Sequence, residues 1–277
     1  TIADDYLAIV NALSAALSIP QIERVWLPRF RDNPDKAAEF GAVVLEDGSV
    51  GLIFVLLEDT LQQINARYQP ETLTGRDPVT IAQDFGEHDP VRKALALGAI
   101  NAIGQHVIRA SGLPLDTSTN SIASFKPQPE DRIGMVGYFP PLVERLRDSG
   151  IDLTVIELKP ELVQRDERFE VTLDPSALQR CNRILGTSTM LLNDSVDRML
   201  AYCAHADQVA IIGPSAGFLP DPLFARGVDT VGGNQVLDVA GFIDRCEREE
   251  KWGPTARKYC VHREGYPGYR ALLESIR

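Results

Sequence analysis

Long apolar runs are missing from this 277-residue chain, and no stretch approaches the roughly 20 residues that a membrane-spanning helix needs. A helical membrane span is not expected. The start, Thr1-Ile-Ala-Asp-Asp5, lacks the basic segment followed by an apolar one that marks a secretory leader, so a cytoplasmic protein is expected, with residues ahead of Thr1 left open. Cysteine is sparse. Cys181, Cys203, Cys246 and Cys260 are scattered in the manner of cytosolic thiols, not of a disulfide framework, and are expected to be reduced. Basic residues are outnumbered, 28 Lys and Arg against 39 Asp and Glu, for a net charge of −11. A field that gathers nucleic acid or an anionic membrane is therefore not expected. Neither Cys-x-x-Cys nor His-Glu-x-x-His occurs, and there is no internal repeat or low-complexity segment.

What is present is an ordinary globular composition, 44% hydrophobic, in a chain long enough for two domains. Residues 1–18 place Ile2, Tyr6, Ile9, Val10, Leu13 and Leu17 on one helical face, with Asp4 and Asp5 in the first turn. Two apolar runs within residues 40–57 flank Glu46-Asp47-Gly48-Ser49, which predicts a hairpin turning at Asp47-Gly48. Helices are expected over 61–68, 78–84 and 90–111, the last with Pro90 in its first turn and Gly112 as its stop. Residues 117–130, polar and proline-containing, form the best linker. Beyond it strands over 132–136, 152–158, 180–185, 209–212 and 228–231 alternate with helices over 141–148, 190–204 and 236–248. That alternation predicts a doubly wound parallel sheet.

Three loops follow successive strands of that sheet. Gly134 and Gly137 permit close backbone approach after the first strand, and Glu157 ends the next strand, where an acid meets a ribose hydroxyl pair in nucleotide-binding folds. A third glycine at dinucleotide spacing is lacking. Thr187, Ser188 and Thr189 can cap a helix whose free amides attract anions, with Asn193 further on. Val209 to Ile212 is a short apolar run that breaks into Gly213-Pro-Ser-Ala-Gly217, a tight amide-rich loop. Ligands sit beyond the carboxyl ends of the strands in such sheets, which brings the three loops to one edge.

For metal, Cys260 and His262 stand two apart, so they share a side in an extended segment. Cys203 and His205 repeat the spacing, and such pairs also arise incidentally. His106, on the long helix, is expected to be a packed or surface histidine. Gly213 to Gly217 matches the Gly-x-Ser-x-Gly spacing of a nucleophile elbow. A triad would need His262 with Asp229, Asp238 or Asp244, and the absence of a long strand series and of a glycine-rich oxyanion loop speaks against hydrolysis.

Leu97-Gly-Ala-Ile-Asn-Ala102, Gly134-Met-Val-Gly-Tyr-Phe139, Ile156-Glu157, Gly186-Thr-Ser-Thr189 with Asn193, and Gly213-Pro-Ser-Ala216 occur in an order that resembles a two-domain prokaryotic family of unknown function associated with heavy-metal chelation. The resemblance covers nearly the whole chain. It implies an α/β protein: a smaller α+β domain like the N-terminal domain of enolase over residues 1–122, then a Rossmann-like parallel-sheet domain over 123–277. It also implies a ligand site between them. Leu185-Gly-Thr-Ser departs from the family's Thr-Gly-Ser-Thr. The expected ligand-binding set is Asn101, Gly134, Gly137, Glu157, Thr187, Thr189, Asn193, Gly213 and Ser215. Glu157, Cys260 and His262 are the candidate metal ligands, and a divalent ion is the implied cofactor. Oxygen donors such as Glu157 and Asn193 favour magnesium- or manganese-type ions over soft metals. A small molecule or metal is the expected partner, and a homo-oligomer is compatible with the sequence. The alternative is an enzyme using a nucleotide-like ligand, S-adenosylmethionine or NAD.

Overall fold

A computed structural model describes residues 1–30, 39–119 and 125–276. The first helix, α1 (Ile2–Ala16), is set by a capping box in which the Thr1 hydroxyl accepts from the Asp4 amide, and it buries Tyr6, Val10 and Leu13. Strands β1 (Ile22–Trp26), β2 (Phe40–Leu45) and β3 (Val50–Phe54) form an antiparallel sheet in that order. The predicted hairpin joins β2 to β3, with Gly48 at φ +81°. Its strands are apolar throughout because both faces are covered: Val43, Leu45 and Ile53 face the main core, while Ala42, Val44, Val50 and Leu52 pack with Phe242 and Ile243.

After α2 (Thr60–Arg67) and α3 (Pro78–Ala82), the long helix α4 (Pro90–Ser111) crosses β3. Asp89 caps its start, Pro90 fills its first turn, and Gly112 ends it at φ +67°. The crossing is unusually close. A β-carbon on Gly51 would lie 2.0 Å from the Gly98 carbonyl oxygen, and one on Gly98 would lie 2.4 Å from Ile53 Cγ1. Only glycine at both positions lets the helix lie on the strand.

The large sheet is built from β4 (Arg132–Val136), β5 (Asp152–Ile156), β6 (Gln164–Arg165), β7 (Phe169–Thr172), β8 (Arg183–Thr187), β9 (Gln208–Ile212), β10 (Thr230–Val236) and β11 (Ala256–His262). Its spatial order is β11-β10-β9-β8-β4-β5-β7-β6. The six strands from β10 to β7 are parallel, and β11 and β6 lie antiparallel at the two edges. Taken in chain order, the parallel strands run 3-2-1-4-5-6, the doubly wound order, with its switch point between β4 and β8. Helices α5 (Pro140–Asp148), α6 (Val196–Ala201), α7 (Asp221–Phe224), α8 (Val239–Glu247) and α9 (Tyr269–Ile276) complete the fold.

The expected alternation is present, with shifted boundaries. The helix expected over 190–204 is a 3-10 turn at Ser188–Leu191 and then α6, because Asn193 Oδ1 accepts from the Ser195 amide and hydroxyl and Asp194 takes φ +56°. The strand expected at 180–185 starts at Arg183, after a 3-10 turn over Pro175–Arg180 capped by Asp174. The strand expected at 228–231 runs on to Val236, and the helix begins at Val239 behind an Asp238 cap. The expectation omitted β7 and the two edge strands, β6 and β11. Within the expected linker, Ser118 and Thr119 are gathered by Asp116, which accepts from both amides, and residues 120–124 lie outside the described residues.

Candidate functional site

Beyond β4 the chain turns at Gly137, φ +90°, whose amide donates to the Ile156 carbonyl at 2.9 Å. The next amide, Tyr138, donates to Glu157 Oε2 at 3.0 Å, and Glu157 Oε1 accepts from the Leu158 amide at 2.7 Å. Glu157 thus stands at the end of β5 as expected and ties the loops after β4 and β5 together. Gly134 serves packing: a β-carbon there would lie 2.9 Å from Leu178 Cδ2 and 3.2 Å from Cys181 Cβ.

After β8, Thr187 caps its 3-10 turn by accepting from the Thr189 amide at 3.2 Å, and its hydroxyl meets that of Thr189 at 3.0 Å. Between them, Ser188 is buried, and its hydroxyl lies 3.0 Å from that of Ser215 in the loop after β9. Gly213 is needed there, since a β-carbon would fall 2.2 Å from Ser188 Oγ. The carbonyls of Ser215, Ala216 and Gly217 accept from Asn101 Nδ2 at 2.8 Å, the Tyr259 hydroxyl at 3.2 Å and Gln105 Nε2 at 3.0 Å, respectively. Asn101 Nδ2 also donates to the Leu52 carbonyl at 2.8 Å, so this fully buried amide joins α4, β3 and the loop. Ser188 was expected only as part of a helix cap, and Gln105 and Tyr259 were not singled out in the sequence. Gln105 had one usable signal, its position four residues after Asn101 on the same helical face.

A cleft of about 960 Å³ opens beside this loop, at the carboxyl ends of β9 and β10. Trp26 and Phe40 of the small sheet form one side. Trp252, edge-on to Phe40 with centroids 6.0 Å apart, and Phe139 add further aromatic wall. Gly213, Pro214, Gly232, Gly233 and Asn234 line it, and Lys251, Lys258, Tyr259 and Cys260 border it. Of the expected residues, Gly213 and Cys260 line this cleft. Asn101 and Ser215 lie behind it as braces. Thr187, Thr189 and Glu157 belong to the neighbouring loops, and Asn193 lies in the turn before α6.

The three candidate metal ligands do not meet. Glu157 follows β5, five strand spacings from β11, which is about 24 Å. His262 has both ring nitrogens engaged, Nε2 with Asp116 Oδ2 at 2.9 Å and Nδ1 with the Thr230 hydroxyl at 3.1 Å. Burial pushes the Cys260 thiol up to about 11 and the Cys246 thiol to about 12, which disfavours the thiolate a metal needs. Among the described residues no three His, Cys, Asp or Glu side chains converge to hold a metal ion. The Gly-x-Ser-x-Gly spacing supplies no free nucleophile: Ser215 is buried against Ser188, while His262 is committed to Asp116 and Thr230.

The strand order and these loops define a Rossmann-type α/β protein in which a three-stranded antiparallel sheet precedes the large one. The chain belongs to the DUF364 family, described as "Putative heavy-metal chelation", whose model matches residues 120–262. An uncharacterized protein of Methanocaldococcus jannaschii is 24% identical over 212 residues, covering 73% of this chain and 77% of that one. A DUF364 crystal structure of unknown function from Desulfitobacterium hafniense is similar with a TM-score of 0.69 at 18% identity, over 94% of this chain and 98% of that one. Another, from Pyrococcus horikoshii, gives a TM-score of 0.62 at 16% identity over the same shares. These two share the fold. No described helix is long and apolar enough to cross a membrane.

Proposed function

We propose that the chain binds a metal-bearing small molecule in the cleft beside β9 and β10, with the metal held by the small molecule's own donor atoms. The carrying observation is the cleft itself. Its volume of about 960 Å³ falls at the upper end of small-ligand sites, and its aromatic walls suit an organic molecule. The donor set supports the same division of labour, since the nearby thiols are buried and protonated and the hard donors are dispersed. On this proposal residues 1–122 and 123–277 act as two domains, with Trp26 and Phe40 contributed by the first and the remaining walls by the second.

The test is native mass spectrometry with elemental analysis on protein purified without chelator or metal resin. The expected result is a metal signal confined to protein carrying an organic adduct, with both reduced in Trp252→Ala. Stoichiometric metal on adduct-free protein would overturn it.

One observation favours a second reading, a nucleotide-like ligand at the switch point: Glu157 ends the second parallel strand, the position of a ribose-binding acid. That reading predicts thermal stabilisation by S-adenosylmethionine or NAD, lost in Glu157→Ala. No shift with either at millimolar concentration argues against it.

A further inference from the structure

The antiparallel pairing of β10 with β11 sets Gly232 opposite Cys260 and Asn234 opposite Lys258. Side chains alternate along a strand, so these four positions share one face, and all four border the cleft. Gly232 is closely packed there, since a β-carbon would lie 3.2 Å from Ile212 Cγ2 and 3.4 Å from Cys260 Sγ. Beside it stand two polar side chains, half-buried Asn234 and exposed Lys258, neither of which makes a side-chain hydrogen bond or ion pair among the described residues. The ammonium of Lys251, at the rim, is likewise unpaired among them.

Among the described residues three acids border the cleft: Glu250 is held by Arg245 at 3.3 Å, Glu249 has a partner of its own, and Glu39 stands beside Phe40, on the side of the small sheet. In a chain of net charge −11, Lys258 and Lys251 place unpaired positive charge on the border of an aromatic cleft. An amide N–H beside an ammonium matches an oxyanion.

We infer that Asn234 and Lys258, with Lys251 at the rim, form an anion-recognition subsite, so that the ligand is an apolar or aromatic body carrying an anionic group. This rests on the proposal that the cleft binds a small molecule. The anionic group sits against the β10–β11 floor, and the apolar body lies toward Trp26, Phe40 and Trp252.

Two fluorescent probes of nearly equal shape separate these ideas: 8-anilino-1-naphthalenesulfonate, which is anionic, and N-phenyl-1-naphthylamine, which is neutral. Trp252→Ala is expected to weaken both. Lys258→Met and Asn234→Ala are each expected to lower the preference for the anionic probe about fivefold, and Lys258→Arg to retain it. Raising the salt concentration is expected to erode the wild-type preference and to leave that of Lys258→Met nearly flat. Equal losses of both probes in Lys258→Met, or an unchanged preference, overturn the subsite and leave the cleft standing. If Trp252→Ala alters neither probe, the cleft itself falls and the subsite with it.

Discussion

Two glycines show how differently an added methyl group is received. At Gly213 a φ of +156° already disfavours a side chain, and the further obstacle is the hydroxyl of Ser188, which can rotate away at the cost of its bond to Ser215. Gly213→Ala should therefore cost about 1–2 kcal/mol, and a Ser188→Ala background should remove part of that cost, as urea denaturation of both singles and the double would show. At Gly51 the obstacle is the Gly98 backbone carbonyl, which cannot rotate away. Gly51→Ala should leave little soluble folded protein, and a near-native melting temperature would contradict the close crossing. Asp47 provides a test by pH. Burial pushes its carboxyl up, but hydrogen bonds from His106 and Ser49 outweigh that and hold it at about 2. A folded-state value below the unfolded one makes the unfolded chain bind more protons between pH 4 and 2, so stability falls with pH in that window. Asp47→Asn should flatten that slope in denaturation series from pH 6 to 2. Glycine and aspartate were visible at these positions in the sequence, but their neighbours were not, because Ser188, Gly98 and His106 arrive from distant parts of the chain.

At the scale of elements, α4 is the brace of the site. Asn101 and Gln105, one helical turn apart, hold the carbonyls of Ser215 and Gly217, while Asn101 also holds that of Leu52. Asn101→Ala leaves two buried carbonyls unpaired and should destabilise the fold by about 2–4 kcal/mol, measured by urea denaturation. The hairpin and α4 were legible with nearly correct ends, since turn residues, a Pro start and a Gly stop are local signals. The end of the segment expected as a helix from 190 was not. Its apolar residues suit a helix, and the break comes from Asn193 bonding Ser195. Strand β11 was unpredicted because only Tyr259, Cys260 and Val261 of its seven residues are buried, and at a sheet edge the pairing with β10 defines it.

For the whole molecule, one continuous apolar cluster includes Tyr6 and Ile103 together with Ile211 and Phe218, and α9 adds Leu272 and Leu273 to it. A core shared across residues 1–122 and 123–277 should melt as one cooperative transition in calorimetry. Two separated transitions would instead show units that fold independently. Composition, periodicity and the order of short motifs were enough to determine the α/β class, the parallel sheet, the loops at its edge and the family, because each depends on residues within a few positions of one another. The tertiary structure decided which residues border the cleft and which brace it. It placed Asn101 and Ser215 behind the wall, parted Glu157 from Cys260 and His262, and brought Trp26, Phe40, Asn234 and Lys258 to the opening. Those outcomes follow from strand order and register, which are fixed by packing between segments far apart in the chain.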